Sequence, residues 1–253
     1  MSRARPRAAP AAVGLIVGLL GSLHAGAQAQ AAGEPLVFIA PANHAMPLVE
    51  IRQGQLTRGI LKDLGEAIAA KLGRQAQFLI VPSKRVSAAL DQGEADVLCY
   101  GAPRWVEATR IQWSRPVFDY AGVVARRADA PAVQDIGQLA GERLGTVAGY
   151  RYIEVEAALG ANFLRDDAPD MGRNLAKLAA GRVRYAMTEQ LTLAYAMRQS
   201  PGTAPVPALT TVRYPTHCAF STRRSTVPLA QLERAVDALV TEGTVDRILA
   251  QYR

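Results

Sequence analysis

The residues able to do chemistry are few and scattered in this chain. Metal-ligand spacing is absent: of the three histidines, His24 lies in the N-terminal segment, and His44 and His217 are far apart. No phosphate-binding loop, Gly-x-Ser-x-Gly elbow or His-Glu-x-x-His pair occurs, so neither a cofactor nor a metal is expected. His217-Cys218 resembles a nucleophile pair only superficially, because neighbours on a strand point to opposite faces. Asp166-Asp167 reads as a turn. The two cysteines, Cys99 and Cys218, both sit in strand-like apolar contexts, Val97–Tyr100 and His217–Phe220. In an oxidising compartment such a pair is a candidate disulfide; the alternative is two buried thiols that never meet.

That compartment is set by the first 29 residues, which read as a cleaved export signal. Arg3, Arg5 and Arg7 form a basic start, Ala11–Leu20 is apolar but too short to span a bilayer, and small residues offer cleavage after Ala27 or Ala29. The arginines are not adjacent, against a twin-arginine signal, and no cysteine is near for lipid attachment. The formal balance is 29 basic to 22 acidic residues; without the signal the mature chain is at about +4, with its charges dispersed, so no nucleic-acid arm is present. No later apolar run approaches membrane-span length, and a soluble periplasmic protein is expected.

The elements that must position any site come in a repeated unit. Leu90-Asp91-Gln92-Gly93 ends a helical run and leads into Asp96–Tyr100; Leu178-Ala179-Ala180-Gly181 does the same before Val183–Met187. In each, apolar residues at helical spacing reach a Gly suited to the left-handed cap, and an apolar strand follows. The capping glycines are about 88 positions apart, a domain-sized interval, so two small α/β lobes with a cleft between them are expected. Leu36–Ala40, the helix opening at Gly59 with Leu61, Leu64, Ile68 and Leu72 on one face, Gln77–Val81 and the repeat unit make β-α-β-α-β, which favours a parallel sheet. Arg126–Gln138 reads as a linker and Arg143–Val147 as the second lobe's first strand, with Gly149-Tyr150-Arg151-Tyr152 starting its first helix. A Pro-rich connection (Pro201–Pro207) leads to a returning strand at Tyr214–Ser221, and two helical faces end the chain. Tyr100 lies just past the C-terminal end of a strand, the usual ligand edge of a parallel sheet. Trp113 reads as core.

Gly59-Ile60-x-x-Asp63-Leu64, Leu90-x-x-Gly93-x-x-Asp96, Trp113-Ser114-x-Pro116, Leu178-x-x-Gly181-Arg182 and the Leu229–Tyr252 tail stand in an order that resembles family 3 extracellular solute-binding proteins. These are type II periplasmic receptors of ABC importers, many for amino acids. The resemblance covers nearly the whole mature chain. It implies an α/β fold of two lobes, each with a mainly parallel sheet, joined by crossover strands near Tyr120–Ala125 and Tyr214–Ser221. Lobe 1 would comprise residues 33–122 and 216–253, and lobe 2 residues 123–215. The returning strand would lie beside the third strand of lobe 1, which would bring Cys218 next to Cys99 as a disulfide.

Ligand contacts carried over by the resemblance depart from the family pattern. An Arg about six residues before the aromatic-Ser pair clamps an amino acid's carboxylate in many members; here that position is Glu107, which also reads as a solvated loop acid. The Asp that holds the α-ammonium is matched by Glu189. Backbone N–H groups at the first helix of lobe 2 would come from Gly149, Tyr150 and Arg151, with Arg151 as a cationic clamp from that side, and Tyr100 and Trp105 as aromatic walls. The implied function is a monomeric receptor that captures a small polar, amino-acid-like or amine-bearing metabolite for an ABC permease, with no catalysis and no nucleic-acid partner. The rival is a periplasmic enzyme on the same scaffold, similar to cyclohexadienyl dehydratase, with Glu189 or Glu107 moving the proton.

Overall fold

The computed structural model describes Met1, residues 33–224 and residues 226–253. The expected export signal, residues 1–29, lies outside the described residues apart from Met1. Among those described, no helix is long and apolar enough to cross a membrane.

The chain opens with β1 (Leu36–Pro41), every residue of which is buried. Burial on both faces marks a central parallel strand, and β1 lies between its two parallel neighbours introduced below. A polar hairpin follows, β2 (Glu50–Arg52) and β3 (Gln55–Arg58), then α1 (Ile60–Lys71), β4 (Ala76–Val81), α2 (Val86–Gln92) and β5 (Val97–Gly101). The helix α1 can begin where it does because Gly59 adopts φ 124°, and a Cβ there would meet Leu48 O at 2.4 Å. At the other end of the unit α2 is closed by Gly93 at φ 73°, the left-handed cap expected from the repeat.

Next comes β6 (Ile111–Arg126), which runs out of this first half into a second one. The second half holds β7 (Arg143–Val147), α3 (Ile153–Leu159), β8 (Leu164–Ala168), α4 (Met171–Ala179), β9 (Tyr185–Glu189) and α5 (Gln190–Gln199). Gly181, just beyond α4, again takes φ 73°. The long return strand β10 (Val206–Ser221) pairs antiparallel with β6 along its whole length, and α6 (Leu229–Thr241) and α7 (Thr244–Ala250) pack back on the first half.

Strand order is β4-β1-β5-β10-β6-β9-β7-β8. The ladder is parallel among β4, β1 and β5 at one end and among β9, β7 and β8 at the other, with the antiparallel β10–β6 pair between them. Because the two crossing strands pair with each other throughout, hydrogen bonding is continuous from one half to the other. The cores are nonetheless separate. Leu36, Phe38 and Ala40 face one cluster with Leu64, Phe220, Leu232 and Leu249; Val37 and Ile39 face another with Leu90 and Leu98. This is period-two alternation feeding two faces of one half-sheet. In the second half Leu144, Tyr185 and Met187 enter one cluster and Val183, Ala186 and Leu178 another.

Cys99 of β5 and Cys218 of β10 form a disulfide that closes a sequence separation of 119. Beside it Asp96 is fully buried, accepting from Val37 N (2.8 Å) through Oδ2, and burial pushes its pKa upward.

Several local expectations change. The crossing strands are longer than Tyr120–Ala125 and Tyr214–Ser221, since each gives the other a hydrogen-bonding edge, and Pro207 is accommodated at a register shift. Asp166-Asp167 is not a turn but part of β8, an edge strand whose charged side chains are satisfied locally: Thr146 Oγ1 donates to Asp167 Oδ1 (2.6 Å) and Lys177 Nζ to Asp166 Oδ1 (2.7 Å). Gly149–Arg151 do not start α3: Ala148 and Gly149 form a turn closed by Tyr150 N donating to Val147 O (3.1 Å), and α3 begins at Ile153 with Tyr152 at its N-cap. Trp113 is partly buried and packs against the Leu90–Leu98 cluster from its edge.

Candidate functional site

A cavity of about 300 Å³ opens between the halves, and its walls come from both. All seven residues singled out as ligand contacts line it: Tyr100, Trp105 and Glu107 from the first half, and Gly149, Tyr150, Arg151 and Glu189 from the second. Their meeting follows from topology. Tyr100 and Glu189 stand at or near the C-terminal ends of the parallel strands β5 and β9, and the Gly149 turn follows the C-terminal end of β7. The ligand edges of the two half-sheets therefore face one another.

Tyr100 carries unusual backbone. It adopts φ 64°, a left-handed conformation uncommon for a non-glycine residue, and is held by stacking on Phe118 at 5.3 Å between centroids. Its ring belongs to a larger cluster: Trp105 lies 4.7 Å from Tyr120 and 5.1 Å from Tyr214, and Tyr120 stacks on Tyr214 at 4.9 Å. The phenols of Tyr100, Tyr120 and Tyr150 all have pKa values pushed well upward, first by burial and next by the negative charge of Glu189. They stay protonated, and the Tyr150 hydroxyl is engaged with His44 Nδ1.

Glu189 closes β9 and is 3% exposed. Its Oε2 accepts from Thr192 Oγ1 (3.2 Å), one turn into α5, and its Oε1 faces His44 Nδ1 at 3.3 Å. The same nitrogen is 2.7 Å from the Tyr150 hydroxyl. His44 thus links Tyr150 and Glu189 across the cleft. From the sequence His44 is weighed only as a metal ligand; the signal for its place at the site is its position just beyond the C-terminal end of β1, the same rule that picks out Tyr100.

Arg151 does not reach into the cavity as a free clamp. Its Nη1 donates to Glu107 Oε1 at 2.6 Å, joining the halves, and both side chains are largely exposed. A second ion pair, Arg104 with Glu154 at 2.5 Å, runs alongside it. Asn43 adds three hydrogen bonds: Nδ2 donates to Pro169 O (2.8 Å), its carbonyl accepts from Met171 N (2.9 Å), and Oδ1 accepts from Ser83 N (2.8 Å). These contacts describe a closed arrangement. Among the described residues no group of three or more His, Cys, Asp or Glu side chains could hold a metal ion.

Three solved structures with the same fold are distant in sequence. An ancestral arginine-binding protein bound to arginine is 21% identical, with a TM-score of 0.72 over 87% of this chain and 98% of that one. The GluR0 ligand-binding core in complex with L-glutamate is 17% identical, TM-score 0.72, over 88% and 99%. An ancestral amino-acid-binding protein, AncCDT-1, described as a precursor of cyclohexadienyl dehydratase, is 16% identical, TM-score 0.71, over 87% and 95%. No curated protein sequence is similar enough to match. At these identities the structures speak for the fold, a periplasmic-binding-protein type. Residues 38–253 match the family model of bacterial extracellular solute-binding proteins, family 3, and the chain belongs to that family.

Proposed function

We propose that this solute-binding protein is a periplasmic receptor that captures a small polar, amino-acid-like or amine-bearing metabolite and presents it to an ABC permease. The carrying observation is that the cavity wall is built by both halves, with Tyr100, Trp105 and Glu107 facing Tyr150, Arg151 and Glu189. A solute touching both walls stabilises the closed form alone, so binding shifts the population toward closure. The moving bodies in this reading are lobe 1 (residues 33–122 and 216–253) and lobe 2 (residues 123–215), with residues 1–29 directing export and then cleaved, and the mature protein working as a monomer without a cofactor. Glu189 holds the amine, and Arg151 with Glu107 secures the closed lobes.

Thermal-shift screening of a metabolite library, followed by titration calorimetry on Glu189→Gln and Arg151→Ala, tests it. A hit whose affinity is unchanged in both variants places the site elsewhere. A second reading is favoured by one observation, that the cavity gathers titratable groups, with the Tyr150 hydroxyl and Glu189 Oε1 both against His44 Nδ1, and Glu189 is a carboxylate that could move a proton. On that reading the protein is a dehydratase-like enzyme. Incubation with prephenate or arogenate discriminates: aromatic product supports the enzyme, and stoichiometric binding of a solute without turnover supports the receptor.

A further inference from the structure

Charges around the cavity fall into two groups. Toward solvent they are matched: Glu107 pairs with Arg151 and Glu154 with Arg104, while Lys84 is exposed. Glu189, in contrast, is buried at the N-terminal end of α5, and among the described residues no lysine or arginine pairs with it. Among the described residues its side-chain hydrogen bond comes from the Thr192 hydroxyl, and the shorter contact of His44 Nδ1 is to Tyr150 rather than to the carboxylate. A buried carboxylate in that state is costly until a cation joins it. The neighbouring wall of Tyr100, Trp105 and Tyr120 is aromatic, and ring faces attract cations, more strongly when water is excluded.

A carboxylate on the ligand meets the opposite situation. Bidentate recognition needs a free guanidinium. Among the described residues Arg151 is the one arginine lining the cavity, and its guanidinium is engaged by Glu107. We infer that the site takes small organic cations lacking a carboxylate, amines or quaternary ammonium compounds, with the positive end at Glu189 and the apolar part against Tyr100, Trp105 and Tyr120. This rests on the receptor reading above and narrows it: an ordinary amino acid is the poorer ligand because its carboxylate finds no free guanidinium, leaving only the exposed Lys84 ammonium and the Gly149 turn to receive it.

Matched pairs differing only by a carboxylate test this on the unmodified mature protein: agmatine against L-arginine, putrescine against L-ornithine, and tyramine against L-tyrosine, with choline as a quaternary probe. Titration calorimetry is expected to show the amine of at least one pair binding ten-fold or more tightly than its amino acid, and Glu189→Gln lowering that affinity at least ten-fold. Equal or tighter binding of the amino acid in every pair overturns the inference and leaves the receptor reading standing. Absence of heat with every probe also overturns it. Conversion of a probe to product, followed by NMR, overturns the receptor reading itself.

Discussion

Removing the Cys99–Cys218 bridge should cost the protein a large part of its stability and little of its ligand affinity. The bridge closes a sequence separation of 119. Treating the loss as loop-closure entropy restored to the unfolded chain gives about 5 kcal/mol at 25 °C, at the upper end of the roughly 2–5 kcal/mol typical for native disulfides. For a domain of this size each kcal/mol moves the melting temperature by about 2–4 °C, so the double variant Cys99→Ala/Cys218→Ala should melt about 10–20 °C lower. Wild-type protein in reductant should fall by a similar amount, because the thiols released are small and already buried. The native geometry changes little, since β10 remains hydrogen-bonded to both β5 and β6 without the bridge. Differential scanning calorimetry with and without reductant, beside calorimetric titration of a bound solute, makes both measurements. A loss under about 1 kcal/mol refutes the entropic argument; full stability with lost affinity would mean that the bridge acts on the site through its neighbour Tyr100.

Three further outcomes are expected. Asp96 has a folded-state pKa raised by burial, so the group contributes stability that is fully present below its unfolded pKa and is lost as pH rises through the folded one; urea midpoints of wild type minus Asp96→Asn should decline as pH increases from about 4, and a difference that grows instead refutes the direction. Gly59→Ala places a Cβ 2.4 Å from Leu48 O at φ 124°, so it should destabilise by more than about 2 kcal/mol in denaturant titration. Arg104→Ala/Arg151→Ala removes both exposed cross-cleft ion pairs, each worth about 0.2–1 kcal/mol; small-angle scattering of the ligand-free variant should show a larger radius of gyration than wild type, and no expansion would mean that the pairs do not hold the halves together.

What could be read from the chain depended on whether a signal was local. Gly93 and Gly181 announce themselves because a left-handed cap after an apolar helical run is a one-dimensional pattern, and both take φ 73°. The apolar face of α1 was equally plain, with Leu61, Leu64 and Ile68 buried. The hairpin β2–β3 was missed because Ile51 and Leu56 are its only large apolar residues and give no alternation to detect. The first part of β10 was hidden by the prolines around it, which a register shift accommodates. At the site, strand ends and the family resemblance located the wall residues. The pairing of Arg151 with Glu107 spans 44 positions, and that of His44 with Tyr150 spans 106. Such partners are decided by the packing of two half-sheets, which no local window contains.

The paired strands β6 and β10 have a mechanical consequence. Each is 16 residues long, and they stay hydrogen-bonded from one half of the molecule to the other. A single-chain tether would let the halves swivel freely, whereas a two-stranded ribbon resists sliding and stretching, since either would break rungs of the ladder, and yields most easily to flexing across its own plane. Three-quarters of the way along β6 sits Gly122, where even a methyl group would press against Thr211 Oγ1 at 3.0 Å. In the receptor proposed above, opening would thereby be channelled into essentially one direction, leaving a permease two shapes to tell apart.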